Sequence, residues 1–189
     1  PFHIKAIKRC IKNDEWFEVL SWARSLAKST VVMFIVLYLV LTGRKHNIMM
    51  VSATQGAAVR LLDPYRKELE SNLRLRAYYG EQIGAKWTDE EFITKCDVAF
   101  RAIGYGNAPR GSRNKSYRPD MLLVDDFDTD EACRNAERIK DMWNFWEKAV
   151  YGTRDPAVPV TIIFCGNIIA KDCCVVRAGK MADHWDIVN

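Results

Sequence analysis

A lysine followed by two hydroxyl residues, in Ala27-Lys28-Ser29-Thr30, stands directly in front of the most apolar run of the chain, Val31 to Leu41. A nucleoside triphosphate site asks for that order. Backbone N–H groups wrap the phosphate oxygens, the lysine reaches the β and γ phosphates, and the hydroxyl ligates Mg²⁺. The usual pattern G-x-x-x-x-G-K-[ST] is not met, because Trp22 takes the first glycine position and Ala27 the second. A Lys-Ser-Thr that merely caps a helix is the plainer alternative.

Two later stretches supply the remaining chemistry of such a site. Met121-Leu122-Leu123-Val124 runs into Asp125-Asp126, the form in which one carboxylate holds the Mg²⁺ and its neighbour polarises the attacking water. Ile162-Ile163-Phe164-Cys165-Gly166-Asn167 is an apolar run ending in a polar residue, and in P-loop ATPases a residue there senses the γ-phosphate; Gly-Asn also makes a plain turn. Between Arg101 and Arg118 the cations Arg101, Arg110, Arg113, Lys115 and Arg118 accumulate with no acid, and Tyr105 and Tyr117 are interleaved. That segment suits a nucleic-acid backbone, an arginine offered to a neighbouring subunit's ATP, or a solvated loop.

Other residues carry less. The six cysteines form no C-x-x-C pair and imply no zinc site, and Cys173 and Cys174 are expected as buried small residues. His3, His46 and His184 are far apart and make no triad. Trp143, Phe145 and Trp146, at helical spacing, are expected in the core rather than as a base-stacking platform.

These residues need elements to hold them. After a turn at Asn13-Asp14-Glu15, residues Trp16 to Ser21 read as a strand leading into the Lys-Ser-Thr loop, and the apolar run as a helix leading out, its N-terminus aimed at the phosphates. The run has eleven residues, Val31 to Leu41, whereas a helix that crosses a bilayer needs about 20. Ile48 to Ser52 follows as a second strand, Gln55 to Ser71 as an amphipathic helix, and Asp97 to Ile103 as a third strand after a less regular stretch, Glu81 to Cys96. A polar loop covers Gly104 to Asp120. Asp130 to Tyr151 is expected as one long helix, with a buried stripe of Ala132, Ala136, Ile139, Trp143, Trp146 and Val150 and an N-cap pairing of Asp128 with Glu131. A linker, Thr153 to Pro159, leads to a last buried strand, Val160 to Cys165. The alternation predicts an α/β domain of about five strands, mostly parallel, flanked by helices on both faces. A formal charge of +4 on 189 residues says little about partners, and a hydrophobic content of 49% supports a real core.

With these motifs in this order, the chain resembles the large terminase subunit of tailed bacteriophages, the ATPase that drives DNA into the capsid. ARSLAKST is similar to that family's divergent phosphate loop, in which an arginine precedes the lysine and glycines are often replaced. VSATQGAAVRLLDPYRKELESN resembles its next strand and helix, RPDMLLVDDFDTDEACRNAERIKDMWNFWEKAV its acidic strand and following helix, FCGNIIAKD its third motif, and PFHIKAIKR the segment before the loop. The resemblance implies a P-loop NTPase fold, ATP and Mg²⁺ as cofactors, and a cleft in which Ser25, Leu26, Ala27, Lys28, Ser29, Thr30 and Asn167 contact nucleotide. Arg24 would act on the γ-phosphate, Ser29 and Asp125 would hold the metal, and Asp126 would be the catalytic carboxylate with Glu131 as the substitute, since many relatives have Asp-Glu where this chain has Asp125-Asp126.

It further implies double-stranded DNA, portal and small terminase subunit as partners, a homo-oligomeric ring in the full motor, and the cytoplasm of a bacterial host. Arg101, Arg110, Arg113 and Arg118 are the candidates for DNA contact or for an arginine acting in trans. The family's nuclease domain is expected outside residues 1–189, so that this chain is a piece of a longer protein without nuclease activity. A helicase-like ATPase, and an inactive P-loop module with a structural or DNA-binding role, are the alternatives.

Overall fold

Two apolar cores sit on opposite faces of one sheet, and the strands between them are buried on both sides. The computed structural model describes residues 1–107, 109 and 113–188. The chain opens with helix α1 (Phe2–Lys12), then β1 (Trp16–Trp22), α2 (Lys28–Leu41), β2 (Asn47–Ser52), α3 (Gln55–Ser71) and the short α4 (Leu73–Tyr79). A hairpin, β3 (Ile83–Trp87) and β4 (Glu91–Thr94), leads to β5 (Ala99–Gly104) and β6 (Met121–Val124). The second half adds α5 (Asp130–Cys133), α6 (Ala136–Phe145), β7 (Thr161–Cys165), α7 (Cys174–Met181) and β8 (His184–Val188).

The sheet has eight strands in the order β3-β4-β5-β2-β6-β7-β1-β8. From β5 to β8 every pairing is parallel; β3 and β4 add an antiparallel edge. Strands enclosed by helices on both faces lose the alternation of polar and apolar residues. Accordingly all of Met121 to Val124 and all of Thr161 to Cys165 are buried. Leu20 and Trp22 of β1 face the core under α1, α2 and α3, while Phe17 and Val19 face the core under α6 and α7.

α2 is apolar all round, and it buries Val31, Val32, Ile35, Val36, Leu39 and Val40 while exposing Phe34 and Tyr38. At 14 residues it measures roughly 21 Å. Among the described residues no helix is long and apolar enough to cross a membrane.

The structure corrects the sequence reading in four places. Among the described residues the sheet has eight strands rather than about five. The stretch Glu81 to Cys96 holds the edge hairpin, whose short, charged strands lack a continuous apolar signal. The long helix from Asp130 to Tyr151 is broken: Asn135 turns its side chain onto the N–H groups of Glu137 and Arg138 and restarts the helix, a local hydrogen bond that competes with helical continuation. Ala136 is thereby exposed, while Ile139, Trp143, Trp146 and Val150 stay buried, and the helix ends in a wide turn at Trp146–Val150 and a tight one at Tyr151–Thr153. Finally, Thr129 caps α5 by accepting from the Ala132 N–H. Asp128 instead caps α7, accepting from the N–H groups of Cys174 and Val175 at 2.8 Å each. Trp143 and Trp146 are core residues, and Cys173 and Cys174 are buried.

Candidate nucleotide and metal site

In a parallel sheet, loops that leave the C-terminal ends of adjacent strands share one edge. Phe164 of β7 is level with Val19 of β1 on one side and with Val124 of β6 on the other. The residues that follow these three strands therefore emerge side by side, with neighbouring strands spaced about 4.8 Å apart. They enclose a cleft of about 500 Å³ lined by Trp22 to Thr30, Asp125, Asp126 and Asn167. Arg24, Ser25, Leu26, Ala27, Lys28, Ser29 and Thr30 all belong to it, so the residues expected from three distant parts of the sequence converge, with Asn167 standing between the loop and the acidic pair.

The loop conformation departs from what its side chains prefer. Ser25 and Ala27 hold left-handed backbone, at φ +68° and +56°, where a Cβ costs roughly 1–2 kcal/mol. Ala27 is the N-cap of α2 and offers no side-chain cap. The first bond of the helix runs from the Val31 N–H to the Ala27 carbonyl at 3.0 Å, leaving the N–H groups of Lys28, Ser29 and Thr30 as the helix's N-terminal donors. Uncapped donors at the positive end of a 14-residue helix form an anion site. The loop is pinned at both ends: the Ala23 N–H donates to Val188 of β8 at 2.8 Å, and the His3 ring meets the Leu26 carbonyl at 2.9 Å. The histidine contact spans 23 residues of sequence, and no local signal points to it.

At the opposing wall, the Asp126 N–H donates to the Asp125 carboxylate at 3.0 Å, and Asp126 itself has φ +46°. Its carbonyl receives the Ala53 N–H and the Ser52 hydroxyl, both at 3.4 Å, from the end of β2. Burial, aided by the neighbouring charge of Asp126, pushes the Asp125 carboxyl up to about 6, with Lys28 acting in the opposite sense. A half-buried carboxylate with too little positive charge around it fits a divalent cation, and the Ser29 hydroxyl with the Asp125 carboxylate gives the hard oxygen donors that Mg²⁺ takes.

Glu131 stands outside the cleft: its side chain is 80% exposed and pairs with Arg138 at 2.8 Å. The basic segment lies at the other edge of the sheet. Asp120, directly before β6, accepts the N–H groups of His46 and Asn47, and the Tyr117 ring stacks on His46 at 4.4 Å. Asn114 donates to the Asp97 carbonyl, just before β5. Arg113 and Arg118, both exposed, are thus a strand's length from the cleft, roughly 13–20 Å. Arg101 sits on β5 and pairs with Glu91 at 2.8 Å. Arg110 lies outside the described residues.

The chain matches no family model and no curated protein sequence.

Proposed function

We propose that the chain is a P-loop ATPase domain that hydrolyses ATP with Mg²⁺ and couples the reaction to movement of double-stranded DNA, as in the large terminase subunit it resembles. The observation that carries this reading is the convergence of the Lys28 loop, the Asp125-Asp126 pair and Asn167 in one cleft at the C-terminal edge of a parallel sheet.

In this reading the N–H groups at the start of α2 and the Lys28 ammonium take the β and γ phosphates. Ser29 and Asp125 hold Mg²⁺, which when bound supplies positive charge to the phosphate oxygens. Asp126 orients and accepts a proton from the attacking water, and Arg24 and Asn167, which line the same cleft, meet the γ-phosphate. Glu131, held by Arg138, takes no part. In this reading Arg113 and Arg118, exposed at the far edge of the sheet, serve DNA or a neighbouring subunit in a ring rather than their own chain's nucleotide. Portal and small terminase subunit are the partners, and a bacterial host's cytoplasm the setting, that follow from the resemblance.

The test is Mg²⁺-dependent ATP hydrolysis by the full-length protein, with and without double-stranded DNA. Lys28→Ala and Asp125→Ala are each expected to lower turnover by about 10²–10³-fold, the scale for losing a charge-stabilising group at a reacting centre. A folded parent protein without Mg²⁺-dependent turnover overturns the proposal and favours an inactive module.

A further inference from the structure

Beside the phosphate cleft, between α2 and α3, lies a second cavity of about 360 Å³. Its walls are mostly apolar, with Val32 and Met33 on α2, Leu61 and Pro64 on α3, and Leu123 on β6. Two polar features interrupt them. Tyr65 lines the cavity and is only 3% exposed as a residue, and its hydroxyl, which makes no hydrogen bond among the described residues, is still open to a water-sized molecule. Pro64 lies inside α3 and carries no N–H, so the helical hydrogen bond that would close on the Arg60 carbonyl is missing at this turn. A tyrosine hydroxyl free to bond a guest, and a helical turn whose Arg60 carbonyl lacks its usual donor, thus belong to residues that line one apolar cavity, the kind of lining a small-molecule site has.

Charge narrows the ligand. Asp125 forms part of the wall and its charge acts on the Tyr65 phenol, which disfavours an anion inside. Arg60, exposed at the mouth, disfavours a cation. Size narrows it further, since roughly 150 Å³ of apolar cavity already admits a benzene, and this one has room for two fused rings.

We propose that the groove between α2 and α3 is a binding site for an uncharged, two-ring apolar molecule carrying one hydroxyl or equivalent group, which accepts from Tyr65 and donates to the Arg60 carbonyl. Ser29, Thr30 and Asp125 line both this cavity and the phosphate cleft. An occupant and Mg²⁺–nucleotide therefore weaken each other's binding, a consequence that rests on the ATPase reading, whereas the binding itself does not.

The experiment titrates 2-naphthol into the protein and follows its fluorescence. Saturable binding is expected, weaker by about fivefold in Tyr65→Phe, the scale of one hydrogen bond, and by more than tenfold in Leu61→Trp, which fills the groove. Circular dichroism and the unfolding midpoint of each variant confirm that it folds. The anion 2-naphthoate is expected to bind at least tenfold more weakly than 2-naphthol. No saturable 2-naphthol binding to the folded protein, or equal binding by Leu61→Trp, overturns the site. A second titration adds Mg²⁺ with a non-hydrolysable ATP analogue, and at least a fivefold loss of 2-naphthol affinity is expected. If the analogue binds and 2-naphthol affinity is unchanged, the coupling is refuted. If the analogue does not bind while 2-naphthol does, the cavity stands and the ATPase reading falls.

Discussion

At the scale of single residues, the cleft is held in an unfavourable state that a ligand would relieve. Asp125 has a carboxyl raised from the ordinary 3.8 to about 6, chiefly by burial. An acid whose folded value lies above its unfolded value costs stability wherever it is ionised. Below about pH 4 both states are protonated and the cost is absent; it grows between pH 4 and 6 as the unfolded chain ionises first, and is complete above 6. Asp125→Asn is therefore predicted to stabilise the metal-free protein by about 1–3 kcal/mol at pH 7.5, with the gain vanishing near pH 4, as chemical denaturation at several pH values would measure. No gain at pH 7.5 contradicts the electrostatic account. Ala27 is the second strained point. Glycine at a left-handed position removes the Cβ clash at some entropic cost, so Ala27→Gly is predicted to stabilise by about 0.5–1 kcal/mol and to tighten nucleotide binding. A destabilised Ala27→Gly would show that the methyl group contributes packing that the loop requires.

Among the elements, short-range capping and close backbone approach decide what the cleft rests on. Asp128 joins the segment after β6 to the start of α7 through two backbone N–H groups. Asp128→Ala is predicted to cost about 1–2 kcal/mol in thermal or denaturant unfolding, the range for losing a helix cap; a change below a few tenths would mean that water replaces it. Gly104 ends β5 against the start of α3, where a Cβ would fall 2.1 Å from the Gln55 N atom, and Gln55 in turn accepts from the Gly104 N–H and donates to the Ala102 carbonyl. The sequence disclosed these elements unevenly. The central strands and α2 were legible because burial on both faces makes continuous apolar runs, and α3 because Ala58, Leu62, Tyr65 and Leu69 recur on one buried face. The break at Asn135 was masked by a stripe that continues in register across it. The hairpin, α7 and β8 carry no clear periodic signal, being short and mixed in polarity. The convergence of Lys28, Asp125 and Asn167 was expected from the motifs, but the placement of Arg113 and Arg118 at the opposite edge depends on strand direction and on Asp120 and Asn114, which no local spacing encodes.

For the molecule as a whole, the strand that carries the loop is locked to both its flanks by one buried ion cluster. The Arg9 guanidinium on α1 donates to Glu18 of β1 at 2.5 Å and to Asp186 of β8 at 2.6 Å, and Trp16 adds a bond to Glu18 at 2.6 Å. Glu18 is fully buried. Removing one partner of such a pair strands the other charge, so Arg9→Ala is predicted to cost about 3–5 kcal/mol in unfolding free energy and to loosen the loop, because α1 also carries His3. A loss under 1 kcal/mol would mean that Glu18 is neutral or hydrated. With α1, β1 and β8 fixed together, and with Asp126 tied to β2, the cleft is a product of the entire sheet rather than of one motif. Its central claim is that this edge takes a Mg²⁺-bound nucleoside triphosphate. The most direct measurement is calorimetric titration of the folded protein with a non-hydrolysable ATP analogue, with and without Mg²⁺, alongside Lys28→Ala. The account predicts one Mg²⁺-dependent site per chain, weakened at least tenfold by Lys28→Ala; a folded protein that binds no analogue, or that binds it equally well without Lys28, would contradict it.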